Sequence, residues 1–194
     1  IKDDRPADAV WFTDGQADPG TTPRVGGVLI AWWRSKPVYF TLEVPQELMD
    51  KWLPRENQIM LVEMLAAVAI MNHFGSERTG KRVVGLIDSE CALDALIKGV
   101  SKFEDIIELL TVFWNKVAEN QITVYADKVA TESNLSDLVS RNDLTAAEAC
   151  GWERAKVGLP EALQGPLLIS SRRAKEIIKQ DRGATSSGVG NLGR

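Results

Sequence analysis

Four acidic residues lie where folding could bring their carboxylates together. Asp14 and Asp88 each end a hydrophobic segment with strand character, whereas Glu63 and Asp137 lie in segments with helical character. Side chains alternate along a strand, so each aspartate shares a face with the apolar residues two and four positions before it. If the two strands are neighbours, carboxylates about 4 Å apart repel by roughly 4 kcal/mol at an effective dielectric of about 20. Cations or a proton between them relieve that repulsion, so we interpret the four acids as a divalent-metal site.

The composition is that of an ordinary globular protein. The 194 residues are 44% hydrophobic and 26% charged, which is enough for one buried domain with an appendage. The formal net charge of −4 argues against a self-sufficient nucleic-acid-binding protein, because such proteins usually carry a basic face. Any binding of nucleic acid must therefore depend on a local basic site or on a partner protein. No apolar run approaches the length of a membrane span, so no membrane partner is expected.

Cysteine and histidine are too few for two common kinds of site. Cys91 and Cys150 cannot form a disulfide framework, and His73 is the only histidine, so no zinc-site spacing is present. A reducing intracellular compartment, cytoplasmic or nuclear, is therefore expected. The chain begins at Ile1 without a charged-then-apolar leader, which favours a segment of a longer polypeptide over a secreted protein.

The predicted elements begin with a meander of strands and continue with alternating helices and strands. Short links join the first three strands, which favours antiparallel pairing, and the later alternation requires right-handed crossovers and a mixed sheet. The predicted strands cover 9–14, 24–33, 37–44, 82–87 and 122–126, and the predicted helices cover 57–74 and about 90–98, 102–119 and 134–141, with a further turn over 144–151.

Beyond Trp152 the composition changes. Residues 152–171 form a loose run with glycines and prolines, 172–182 are basic and could include a short helix, and 183–194 are rich in glycine and serine. This pattern predicts a compact domain over 8–151, followed by a C-terminal extension and flexible linker over 152–194.

Over about residues 8–142 the order of elements and acids resembles the ribonuclease H family. The motifs that carry the resemblance are Thr13-Asp14-Gly15, Glu63-Met64-Leu65-Ala66, Asp88-Ser89-x-x-Ala92 and Asn134-Leu135-Ser136-Asp137-Leu138-Val139-Ser140-Arg141. The last motif is similar to the ending of ribonuclease H domains that are fused to retroelement reverse transcriptases. The resemblance implies an α/β fold of the ribonuclease H type, with a five-stranded mixed sheet, the first three strands antiparallel, flanked by helices.

The resemblance also implies an activity, namely metal-dependent cleavage of the RNA strand of RNA–DNA hybrids. The four acids would hold two Mg²⁺ ions, for which Mn²⁺ can substitute, with Asp14 and Asp88 as central ligands. The implied partners are the hybrid and a fused or associated reverse transcriptase domain. Residues of the same motifs would contact the substrate, namely Gly15, Ser89, Asn134 and Arg141.

The sequence departs from the family pattern in three places. The loop over 128–133 lacks the histidine that members often carry there, and Glu132 is a candidate substitute. Ser89 stands where many members have an asparagine. Some members carry an excess of basic residues in the helical region that corresponds to 98–119, but here three acids offset the three lysines. A fused polymerase domain would therefore have to hold the hybrid.

Each acid alone also has an ordinary explanation. Asp14 could open an Asp-Gly turn, Asp88 and Asp137 could cap helices, and Glu63 could be a solvated surface charge. A non-catalytic scaffold of the same fold remains the main alternative function. A 3′-to-5′ exonuclease fits less well because Gln16 stands where those enzymes have a glutamate, and transposase-like nucleases usually end the set of acids with a glutamate.

Overall fold

The structure is a computed structural model that describes residues 6–55 and 58–164. The basic segment 172–182 and the linker 183–194 lie outside the described residues, so the predictions made for them stay predictions. Within the described part no helix is long and apolar enough to cross a membrane.

One mixed sheet forms the centre of the molecule, with the strand order β5-β4-β1-β2-β3-β6. The first three strands pair in antiparallel fashion, whereas β4 runs parallel to β1, and β5 parallel to β4. The predicted mixed sheet is therefore confirmed. The strands are β1 (Ala9–Gln16), β2 (Arg24–Ala31), β3 (Val38–Glu43), β4 (Arg82–Ile87), β5 (Thr123–Lys128) and β6 (Glu153–Arg154).

The prediction of five strands is wrong, because β6 adds a sixth strand parallel to β3. The amide of Glu153 donates to the carbonyl of Pro37, and that of Ala155 donates to Tyr39. Two residues are too few for a periodic pattern, so the sequence carried no signal for this strand. Val157 and Leu163 are buried in the main core, so packing continues beyond residue 151, where the sequence predicted a domain boundary.

Helices cover both faces of the sheet. They are α1 (Gln46–Met49), α2 (Ile59–Phe74), α3 (Glu90–Lys98), α4 (Glu104–Glu119), α5 (Asp137–Ser140), α6 (Thr145–Ala149) and α7 (Glu161–Gln164), with 3₁₀ turns at Ser76–Arg78 and Thr131–Ser133. The predicted helix over 134–141 shortens to one turn, because the side-chain oxygen of Asn134 accepts from the amide and hydroxyl of Ser136 and competes with helical bonding.

The two faces of the sheet bury separate clusters. Trp11, Leu29 and Phe40 belong to the larger cluster, which includes most of α2 and the inner sides of α3 and α4. On the opposite face, Val28 and Tyr39 pack against Val139 of α5 and Ala147 of α6 in a smaller cluster. The strand β1, which carries Asp14, therefore lies between α2 on one side of the sheet and α5 on the other.

Candidate active site

Asp14 and Asp88 lie side by side where β1 and β4 meet. The parallel register pairs Phe12 with Leu86 and Thr13 with Ile87, and the next residue along the chain is an aspartate in both cases, within β1 and directly after β4. Asp14 is still within β1, which continues to Gln16, so it does not open a turn. The like-charge pair predicted from the strand pattern is present.

Glu63 reaches the same place from α2 because Gly15 lets the helix approach the strand closely. A Cβ atom at Gly15 would lie 2.7 Å from the backbone nitrogen of Glu63, closer than real side chains allow. Glu63 is only 7% exposed, and its carboxylate accepts a hydrogen bond from the Gly15 backbone. The solvated-charge explanation for Glu63 is therefore excluded.

The three carboxylates form a compact oxygen cluster. One oxygen from each of Asp14, Glu63 and Asp88 lies within 4.8 Å of the other two. Oε2 of Glu63 and Oδ1 of Asp88 are buried and accept no hydrogen bond from the described residues. Buried oxygens without donors are costly unless a cation or a proton serves them. An all-oxygen donor set of this kind suits Mg²⁺ or Mn²⁺.

Burial and mutual repulsion raise the pKa of two members of the cluster. Burial raises the pKa of Glu63 to about 9, with added repulsion from Asp14 and Asp88. Burial likewise raises the pKa of Asp14 to about 6, and a hydrogen bond from Ser140 opposes the increase. Without a cation the cluster therefore keeps a proton on Glu63 at neutral pH. Binding of a divalent cation should release that proton.

Asp137 lies beside this cluster and not within it. It begins α5, and its negative charge contributes to the raised pKa of Asp14. Arg141 Nε donates to Asp137 Oδ1 over 3.2 Å, which holds the carboxylate at the border. The sequence predicted one group of four acids, whereas the structure gathers three and places the fourth next to them.

Ser140 belongs to the closing motif, but no role in the site was predicted for it from the sequence. Its side chain is fully buried, and its Oγ donates to Oδ2 of Asp14. The contact requires α5 to lie almost against β2, where a Cβ atom at Gly26 would lie 2.5 Å from the backbone nitrogen of Ser140. Asp14 and Gly26 are partners in the β1–β2 register, so the place where the Ser140 backbone meets the glycine lies beside the aspartate. A Gly-Gly pair inside a strand is the signal that could have indicated such an approach.

Gly26→Ala should therefore push α5 away from the sheet. We expect a loss of about 1–3 kcal/mol in the free energy of unfolding, since the added methyl group meets backbone that cannot rotate aside. Urea unfolding measures the loss. Gly158→Ala is the matched control, because no atom lies within 4 Å of a Cβ at that position. Equal stability of the two variants would show that α5 does not pack as described.

Two of the four predicted substrate-binding residues make contacts within the fold. Gly15 is buried against α2, and Asn134 is only 6% exposed. Asn134 Nδ2 donates to the carbonyl of Thr13 over 3.1 Å, which ties β1 to the segment before α5. These contacts give both residues a positioning role, and direct contact with a substrate stays a prediction.

The other two predicted substrate-binding residues lie at the rim. Ser89 is partly exposed and caps α3, where its hydroxyl accepts from the Ala92 amide over 3.4 Å. The Arg141 side chain is 53% exposed. Glu132, the candidate substitute for a histidine, is exposed in the 3₁₀ turn at Thr131–Ser133. Substrate contacts by these residues stay predictions.

Solved structures with the same arrangement of elements exist. The N-terminal ribonuclease H domain of Rv2228c from Mycobacterium tuberculosis, solved as a fusion with maltose-binding protein, superposes with a TM-score of 0.53 at 12% identity, covering 75% of this chain and 99% of that one. Ribonuclease H1 from Halobacterium salinarum gives 0.53 at 12% identity, covering 71% and 98%. The chain has the ribonuclease H fold. LC11-RNase H1, isolated from compost by a metagenomic approach, gives 0.51 at 15% identity, covering 74% and 99%.

The predicted ribonuclease H resemblance is thus confirmed at the level of the fold. No protein-family model and no curated protein matches the sequence. Since identities of 12–15% carry only the fold, any function must be argued from the carboxylate cluster that this ribonuclease H fold assembles.

Proposed function

We propose that this protein is a metal-dependent endonuclease that hydrolyses the RNA strand of RNA–DNA hybrids. The observation that carries the proposal is the cluster of Asp14, Glu63 and Asp88, whose oxygens lie within 4.8 Å of one another. This cluster lies on a ribonuclease H fold, and the similar solved structures named above are ribonucleases H.

Two Mg²⁺ ions, or Mn²⁺ in their place, are the proposed cofactors. The fit rests on the donor set, which is all oxygen, and on the two buried oxygens of Glu63 and Asp88 that lack hydrogen-bond donors among the described residues. Asp14 and Asp88 are the proposed central ligands, and Glu63 and Asp137 complete the set. When bound, such ions supply an activated water and stabilise the leaving 3′-oxygen.

The other residues of the site hold these carboxylates in place. The Ser140 hydroxyl fixes one oxygen of Asp14, which leaves the other oxygen for a ligand. Arg141 orients Asp137, and the Gly15 backbone hydrogen-bonds Glu63. Three of the four proposed ligands, Asp14, Glu63 and Asp137, are therefore oriented before a substrate arrives, which is the kind of preorganisation that lowers a barrier.

The proposed biological context is a retroelement reverse transcriptase polyprotein. The closing motif over 134–141 supports it, as does the net charge of −4, which leaves much of the affinity for the hybrid to a fused or associated polymerase domain. An intracellular reducing compartment is proposed with it. Cys91 and Cys150 are free thiols in the structure, which is compatible with that compartment.

A cleavage assay tests the proposal. A hybrid labelled on the RNA strand, a labelled DNA duplex and a labelled single-stranded RNA are each incubated with the 194-residue chain and Mn²⁺. We expect cleavage of the RNA within the hybrid, an intact DNA duplex, and no cleavage when EDTA removes the metal. Cutting that persists in EDTA, or that is equal on duplex DNA, would overturn the proposal.

A non-catalytic scaffold of the same fold is the second candidate. The absence of histidine from 128–133, where members of the ribonuclease H family often carry one, favours it. A proton held on Glu63 would also let three acids persist together without any cation. A scaffold of this kind should bind no pair of divalent ions.

A further inference from the structure

A polar cavity of about 400 Å³ opens at the β1–β2 hairpin, next to the carboxylate cluster. Its lining residues are Gln16, Asp18, Thr21, Thr22, Arg24 and Arg141. Arg141 connects the cavity to the cluster, because the same side chain holds Asp137 and its charge acts on Asp14. The cavity is therefore the immediate neighbour of the proposed reaction centre.

Two guanidinium groups from different elements line this cavity. Arg24 begins β2 and gives its Nη2 to Glu43, whereas Arg141 follows α5 and gives its Nε to Asp137. A guanidinium carries five N–H donors in a planar fork that matches the oxygens of a phosphate, so both residues retain donors for a ligand. The hydroxyl group of Thr22 adds a further polar group to the same wall.

Asp18 contributes a carboxylate to the wall of this cavity. Its Oδ2 accepts from Gln16 Nε2 over 3.0 Å and lies 3.9 Å from Arg141 Nη1, beyond hydrogen-bond distance. The Asp18 side chain is 63% exposed, so moving it aside costs little, as exposed ion pairs contribute about 0–1 kcal/mol. This exposed carboxylate near Arg141 therefore lies in the cavity where the oxygens of a phosphate would bind.

We propose that this cavity binds a backbone phosphate of the nucleic acid, with Arg24 and Arg141 as its cationic groups and Asp18 as the anion that the phosphate displaces. The inference rests on the proposed function, since a phosphate held there belongs to a strand that also crosses the carboxylate cluster. Such a phosphate site would provide local affinity for nucleic acid in a chain whose formal net charge is −4.

Fluorescence anisotropy with a short labelled RNA–DNA hybrid tests the inference. The 194-residue chain is titrated in a series of salt concentrations, with Ca²⁺ to offset the carboxylate charge. Arg24→Gln should weaken binding about five- to tenfold and reduce the slope of log affinity against log salt by about one, the value for one lost phosphate contact. Asp18→Asn should tighten binding about two- to fivefold, because the competing anion is gone.

Lys116→Gln is the matched control. It removes one cation that pairs with Glu119 at the end of α4. That helix leads to the start of β5, which pairs with Arg82 at the end of β4 opposite Asp88, so the substitution should change neither affinity nor slope. Unchanged binding in both Arg24→Gln and Asp18→Asn overturns the inference, as does a wild-type chain that does not bind the hybrid. If wild-type cleavage in Mn²⁺ persists in that case, the proposed nuclease function stands and the phosphate site alone fails. Thermal unfolding of each variant confirms that it is folded, and Asp18→Asn retains both guanidinium groups.

Discussion

Asp88→Asn is expected to reduce cleavage of the RNA–DNA hybrid by at least about a thousandfold, equivalent to about 4 kcal/mol of lost transition-state stabilisation. The substitution keeps the shape of the side chain and removes its charge. It also replaces one of two possible ligand oxygens by an amide that cannot bind a cation, at a position where Oδ1 is buried without a donor from the described residues. Initial rates with a labelled hybrid and Mn²⁺ measure the loss.

Asp127→Asn is the control for this loss. Asp127 lies on β5 and pairs with Leu86 of the neighbouring strand β4. It is exposed, and the substitution makes the same chemical change next to the site. Its activity should stay within about twofold of the wild type, since exposed charges outside a site have small effects. Activity of Asp88→Asn equal to that of Asp127→Asn would show that the cluster does not carry the reaction.

Glu63→Gln is expected to make the metal-free protein more stable at high pH. The folded-state pKa of Glu63 is raised to about 9, whereas in the unfolded chain the group titrates near its ordinary value of 4.5. Between these values the folded state binds the extra proton, so raising the pH favours unfolding by up to about 1.4 kcal/mol per pH unit. Asp14 adds to this loss only between its ordinary pKa of 3.8 and about 6.

Urea unfolding in EDTA, from about pH 5 to about pH 9, measures this dependence. Wild-type stability should fall across the series, and the fall should largely vanish in Glu63→Gln. Adding Mn²⁺ at the upper end should restore the wild type, because a ligand that binds only the folded state stabilises it, and should do little for the variant. A flat wild-type profile in EDTA would mean that Glu63 is not buried as described.

The adjacency of Asp14 and Asp88 was predictable because it depends on local pattern. A carboxylate at the end of each apolar strand indicated a cation site. The alternation of strands with helices after the first three strands indicated parallel pairing in a mixed sheet. The register then follows once β1 and β4 are neighbours. The boundaries of α3 were also predicted correctly, since Ser89 caps its start and Gly99 ends it in the left-handed conformation at φ 65°.

The rest of the site depends on contacts between distant segments, which no local pattern encodes. The sequence placed Glu63 at the border of an apolar stripe, yet α2 is buried on nearly all sides because the sheet and α4 cover opposite faces. The approach of α5 to Gly26, and with it the bond from Ser140 to Asp14, appears only in the folded chain. The separation of Asp137 from the other acids likewise follows from the position of α5.

Calorimetric titration of Mn²⁺ into the metal-free chain tests most directly whether these carboxylates form a cation site. The wild type and Asp127→Asn should bind Mn²⁺ with the same affinity and release protons on binding, since Glu63 must ionise. Asp88→Asn and Glu63→Gln should bind at least about tenfold more weakly. A wild-type chain that binds no Mn²⁺, or an affinity that neither substitution changes, would contradict the metal site and leave the scaffold as the function to pursue.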